Sequence, residues 1–139
     1  MADAAGFLIY HQIYRRYLIV KRAPSTNNGR QWSIPGGRAD RRDATLYTTA
    51  VREAIEELGG LPQLLDPIGE LRLRKPSGRG QYLVVVIGTR DLVWAPRLNW
   101  EHTKWRWATL SEICNLRRRT KLLDTILGQL PALSTNPLA

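Results

Sequence analysis

The sequence predicts an α/β protein of the α+β kind, a mixed β-sheet lying between helices. Three observations predict it. Five or six strand-sized apolar runs are interleaved irregularly with two helical patterns. The 139 residues contain no internal repeat and no linker, so one domain over 1–139 is expected, with a frayed tail at 134–139. Hydrophobic residues make up 43% and charged residues 24%, a balance that supports a packed core and excludes wholesale disorder.

Each element has a local reason. Ala5–Tyr10 and Tyr17–Lys21 are short runs of aliphatic and aromatic residues, read as a hairpin or neighbouring strands. His11, between them, is expected in the hairpin loop without a role. Residues 23–30 are a dense cluster of turn formers and read as a loop. A short extended piece, Gln31–Ile34, runs into Pro35-Gly36-Gly37, where two glycines allow close backbone approaches. A helix is expected from about Ala44 to Leu58, with Asp43 as N-cap and Gly59 closing it. Pro67–Arg74 and Gly80–Arg90 read as a strand pair turning at Pro76–Gly78, and Thr103–Ala108 as a last strand. Thr109-Leu110-Ser111-Glu112 matches a capping box, and a single helix is expected to follow it through Ile113, Leu116, Leu123, Leu127 and Leu130.

Composition excludes several classes. One cysteine, Cys114, rules out a disulfide scaffold; it is expected to be buried beside Ile113 and Leu116. No apolar run approaches the roughly 18–20 residues that span a bilayer, so no membrane partner is expected. The N-terminus lacks the basic region of a signal peptide, and a cytoplasmic location is the expectation. There is no zinc-type Cys/His spacing and no G-x-x-x-x-G-K-[ST] phosphate loop. The net charge is +9 and the pI about 10.4. Residues 61–139 hold twelve basic against six acidic side chains, which favours polyanionic partners without choosing among nucleotides, nucleic acid and acidic surfaces.

The informative stretch is Arg52-Glu53-Ala54-Ile55-Glu56-Glu57-Leu58-Gly59. On a wheel with Glu53 at zero, Glu56 falls near about 300° and Glu57 near about 40°. Val51, Ala54, Ile55 and Leu58 fall on the other side, so the expectation is a buried apolar stripe opposite a triple-carboxylate stripe. Like charges at i,i+4 repel, and the C-terminal half of a helix disfavours them further. A hard divalent cation would reverse both penalties. From these residues alone, a solvated acidic face is an equal alternative.

The flanks resolve that choice. Pro35-Gly36-Gly37, a spacer, and Arg-Glu-Ala-Ile-Glu-Glu-Leu-Gly resemble the signature of the Nudix hydrolase family, G-x5-E-x7-R-E-U-x-E-E-x-G-U with U aliphatic. The approach Trp32-Ser33-Ile34 is also similar. The direct match covers about 29 residues, Trp32–Gly60, and the element order outside it is compatible with one Nudix domain, an α/β/α sandwich. There are two departures. The spacer is one residue longer, and where the first Glu should fall stand Asp43 and Ala44. The last aliphatic position is Gly60, with Leu61 one later. Asp43 is a candidate substitute for the missing glutamate, which leaves the partner of Arg52 open.

The resemblance implies hydrolysis of a nucleoside diphosphate linked to another group, with Mg²⁺ or Mn²⁺ as cofactor. It implies Glu53, Glu56, Glu57 and the Gly37 carbonyl as metal ligands, and Arg52 as an orienting residue. Glu101, before the Trp105-Arg106-Trp107 segment, resembles a loop glutamate that many members use as a further ligand or general base; His102 beside it is expected to be exposed. Arg22 and Arg38 are candidate phosphate contacts, and Trp32 and Tyr82 candidate base contacts. Pro76, fifteen residues past Leu61, resembles a proline associated with ADP-ribose hydrolysis, and Tyr82 hints at dinucleoside polyphosphates. Nucleoside triphosphates and nucleotide sugars remain open as substrates. Two alternatives stand beside this reading: a catalytically impaired Nudix-like module that binds nucleotide or RNA, and a pyrophosphohydrolase of RNA 5′ ends. Arg117-Arg118-Arg119 with Lys121 invites an RNA partner, but a solvated helix face is favoured. The oligomeric state is open, a homodimer included.

Overall fold

The structure is a computed structural model, and it describes residues 3–75 and 77–130. Strand β1 (Ala4–His11) forms the centre. It pairs antiparallel with β2 (Arg16–Arg22) at its C-terminal end and with β4 (Gly36–Arg38) at its N-terminal end. Between these two lies the short strand β3 (Trp32–Ser33), antiparallel to β2. On its other side β1 runs parallel to β6 (Gln81–Thr89), which pairs antiparallel with β5 (Leu65–Arg74). Strand β7 (His102–Ala108) pairs antiparallel with β2. One parallel pair among antiparallel ones makes the sheet mixed, as expected.

Both faces of the sheet are buried, which is why β1 reads as a continuous apolar run rather than an alternating one. Phe7, Ile9, Val20 and Val85 point to one face, where they meet Ala50, Ala54 and Leu58 of helix α1 (Leu46–Leu58). Leu8, Ile19, Val84 and Val86 point to the other, where Ile113 of α2 (Leu110–Cys114) and Leu123 and Ile126 of α3 (Lys121–Gln129) cover them. The result is an α/β/α sandwich.

Four expectations about local structure are corrected. Asp43 does not cap α1. Thr45, with extended backbone, accepts from the Thr48 N–H at 3.1 Å, and Asp43 is committed elsewhere. The C-terminal helix is two helices. Arg119 ends the first segment by donating to the carbonyls of Ile113, Cys114 and Leu116, and Thr120 caps the second. The segment between docks beside β3, with Trp32 N–H donating to the Arg118 carbonyl at 2.8 Å. Cys114, at the end of the short α2, is exposed. His11 is fully buried and structural: its Nδ1 accepts from the Ile13 and Tyr14 N–H groups and so shapes the β1–β2 turn.

Gly59 ends α1 in the left-handed region (φ 76°), its N–H donating to the Ile55 carbonyl. Gly60 follows at φ 135°, a conformation that resists any side chain, and Leu61 packs against the α1-side core. The aliphatic residue therefore arrives one position late. Pro76 and the tail 134–139 lie outside the described residues. None of the described helices is long and apolar enough to cross a membrane.

Candidate active site

Helix α1 crosses over β4 so that Gly36 and Gly37 press against its carboxylates. The Gly36 N–H donates to Glu57 Oε1 at 2.7 Å. A side chain at Gly37 would place its first carbon 2.5 Å from the Glu53 carboxylate carbon. At Gly36 it would collide with the Tyr82 hydroxyl. Both glycines are thus required by close approach, not by turn geometry.

The stripe expected on α1 is rotated. Glu53 and Glu57 lie on the buried face with Ala50, Ala54 and Leu58, and Ile55 is 57% exposed. A helix that needed only to fill the core would place Ile55 inward. Here the inward arc is given to two acids, at a cost in burial that packing alone does not explain. Glu56 is exposed and meets Arg52 at 3.3 Å.

Arg52 organises this face. Its Nε and Nη2 form a fork on Asp43, at 3.0 and 2.9 Å, and Nη2 also donates to the Arg38 carbonyl. Its Nη1 donates to Glu53 Oε1 at 3.1 Å. Asp43 in turn accepts from the Asp40 N–H and the Thr49 hydroxyl. The Arg52 guanidinium holds the Asp43 carboxyl well below the usual range. The chain turns at 40–43, where the Asp43 N–H donates to the Asp40 carbonyl. Asp43 is therefore the partner of Arg52 that the sequence left open.

Glu57 is fully buried, and burial first, then the neighbouring Glu101 carboxylate, push its carboxyl up to about 9. Ionised, its Oε2 has no hydrogen-bond donor among the described residues. The Glu101 carboxylate nearby favours the protonated form. Glu53 is also pushed up, by burial and then by Glu56, with Glu101 contributing and Arg52 opposing. Glu53, Glu57 and Glu101 thus share one electrostatic neighbourhood although they come from two distant segments. Among the described residues, no three acidic, imidazole or thiol groups already surround one ion position. The fit of a cation rests instead on the orphaned Glu57 oxygen, its all-oxygen neighbours and the Gly37 backbone beside them.

His102 is buried, not exposed as expected. Among the described residues neither ring nitrogen has a partner, and burial, then the Arg22 charge, lower its pKa to about 4. Its register partner across the sheet is Arg22, at a bulge. No sequence signal marked it, because a histidine after a loop glutamate is as readily a surface residue.

A cleft of about 570 Å³ opens beside this face. Gly36 and Gly37 line it and also meet Glu57 and Glu53, so β4 borders both the cleft and the α1 carboxylates. Arg22, Arg38 and Tyr82 line it as well, bringing three of the four candidate substrate contacts together. Trp32 is not among the lining residues; it packs against the α3-side core. Tyr82 is only 8% exposed, and burial, then Glu57, push its hydroxyl up. It supports Gly36 rather than offering a face for stacking.

A family model described as the NUDIX domain matches residues 2–127. The chain belongs to the Nudix family. The Nudix domain accounts for nearly all of the described fold. Over 81 residues the chain is 36% identical to the chloroplastic Nudix hydrolase 22 of Arabidopsis thaliana, a match spanning 57% of this chain and 25% of that protein. The chain therefore aligns with only a quarter of the length of this curated relative. Among solved structures, a MutT protein from Methanosarcina mazei superposes with a TM-score of 0.72 at 19% identity, over 97% of this chain and 96% of that one. An Ap4A hydrolase from C. elegans, solved as a binary complex, superposes with a TM-score of 0.68 at 22% identity, over 95% and 96%. At these identities the superpositions establish the Nudix fold.

Proposed function

We propose that this Nudix protein hydrolyses the diphosphate linkage of a nucleoside diphosphate joined to another group, with Mg²⁺ or Mn²⁺ as cofactor. The observation that carries the reading is the Glu57 carboxylate: buried, without a donor for Oε2 among the described residues when ionised, and beside Glu53 and Glu101. A fold does not retain such a group for stability, because burying an unpaired charge is costly. The Arg52–Asp43 fork supports the same reading, since it aims Glu53 while leaving its second oxygen available.

Glu53, Glu57, Glu101 and the Gly37 carbonyl would hold the ion, with Glu56 at its solvent side. When bound, the ion neutralises the diphosphate and lowers the pKa of a bound water. The chain's own residues do the rest. Water oxygen bonds to phosphorus as the bridging P–O bond breaks, giving two phosphate products. The proton lost from water passes to one of these carboxylates. Arg52 fixes Glu53, and β4 holds Glu57 through the Gly36 N–H. Arg22 and Arg38, which line the cleft, contact the substrate phosphates.

The test is a panel of nucleoside triphosphates, ADP-ribose, nucleotide sugars and dinucleoside polyphosphates with Mg²⁺ or Mn²⁺, products identified by mass. A nucleoside monophosphate or the corresponding cleavage product is expected, and it should disappear with chelator. Absence of turnover across the panel would overturn the hydrolase reading.

A further inference from the structure

Resting on that reading, the cleft carries more positive charge than a diphosphate needs. Five cationic side chains line it: Arg22 from β2, Arg38 from β4, Lys75 after β5, and Arg119 and Lys121 flanking the start of α3. No acidic residue is among the described lining residues. Arg119 is already committed to Asp124 at 2.6 Å and to loop carbonyls. Arg22 is braced by the Asn27 carbonyl at 2.6 Å. Among the described residues, the side chains of Arg38 and Lys121 are exposed and have no carboxylate partner. They stand on different segments, so the positive charge extends from β4 to α3.

The cleft is as sparing with rings as it is generous with cations. Its one aromatic among the described lining residues, Tyr82, is buried with its hydroxyl against Gly36. A base has no exposed face to stack on there. A neutral distal group, such as a sugar, would leave Arg38 and Lys121 without counter-charge, whereas further phosphates would give each a charge-assisted contact.

We infer that this chain selects substrates with three or more consecutive phosphates, the cleft taking the phosphate beyond the scissile linkage. The source is either a free nucleotide or the 5′ end of an RNA, and the two differ only outside the cleft.

The experiment has two arms on the full chain. In the first, kcat/KM is measured for ATP, a dinucleoside tetraphosphate, a 5′-triphosphate oligonucleotide and ADP-ribose. The polyphosphates are expected to exceed ADP-ribose by about tenfold or more, and Lys121→Glu to shrink that ratio by about tenfold. A ratio near one in the wild type, or one that Lys121→Glu and Arg38→Gln leave unmoved, overturns the inference while the hydrolase reading stands. In the second arm, inorganic tripolyphosphate and pyrophosphate are titrated by calorimetry without reference to turnover. Tripolyphosphate is expected to bind about tenfold more tightly, with a steeper loss in salt and a further loss in Lys121→Glu. Equal affinities for the two anions overturn the inference even if no substrate is cleaved. Oligonucleotide cleavage that outpaces ATP identifies RNA ends as the source; the reverse identifies free nucleotides.

Discussion

Replacing Glu57 by glutamine is expected to stabilise the protein in chelator at neutral and alkaline pH while removing its activity. Glu57 is fully buried, and its carboxyl is pushed from the ordinary 4.5 up to about 9. Below pH 4.5 the group is protonated in folded and unfolded chains alike, and it exerts no pH-dependent effect. Between 4.5 and 9 the unfolded chain ionises while the folded one retains the proton. The unfolded state then binds fewer protons, so stability falls as pH rises through this window and levels off above it. From pH 4.5 to 8 lie about 3.5 pH units, and at about 1.4 kcal/mol per unit the loss approaches a ceiling of about 5 kcal/mol. That is a large share of a domain's total of roughly 5–15 kcal/mol. Glutamine escapes it: its carbonyl still accepts from the Gly36 N–H, and its amide carries no charge to bury. The assay is urea unfolding of wild type and Glu57→Gln in EDTA at pH 4.5, 6 and 8. The variant should be more stable by a few kcal/mol at pH 8, with the gap closing toward pH 4.5. A gap that ignores pH, or a variant less stable at pH 8, would refute the assignment of a buried, proton-holding Glu57.

Other expectations follow from single contacts. Gly37→Ala puts a methyl into the Glu53 carboxylate and should lower kcat by about a hundredfold without unfolding the domain, checked by kinetics alongside circular dichroism. Asp43→Ala removes the fork that fixes Arg52 and should likewise reduce kcat strongly, with Asp43→Glu restoring part of it; a variant with full activity would mean that Arg52 does not need that partner. Leu123→Ala, buried between α3 and the sheet, should cost about 2–5 kcal/mol in denaturant unfolding. Cys114 should react with a thiol reagent in the native protein, one equivalent per chain, without prior unfolding.

How much was legible in the sequence depends on where each signal was local. The strands were, because both faces of β1 and β6 are covered and their apolar runs are unbroken. The double glycine and the three-glutamate helix were too, since their spacing resembles a family signature. Helix rotation was not. An ideal wheel groups Ile55 with Ala54 and Leu58, but the helix turns its acids toward β4, where Gly36 offers a donor and Gly37 leaves room. The break at 115–120 was also hidden, because Leu116 and Leu123 fit one helical period while Arg119 and Thr120 end one helix and start another. With the helix broken there, Arg117, Arg118 and Arg119 share no helical face, and Arg119 is consumed by loop carbonyls. The buried state of His102 and the link from Glu101 to Glu57 are contacts over distance, and no spacing rule announces them.

The most direct test of the account is a crystal grown with Mn²⁺ and measured for anomalous scattering. A peak is expected in contact with oxygens of Glu53 and Glu57, with the Gly37 carbonyl and Glu101 completing the cage, at roughly the 2.0–2.2 Å of hard-cation bonds. Manganese found only at surface carboxylates, with Glu57 still holding its proton against Glu101, would contradict it.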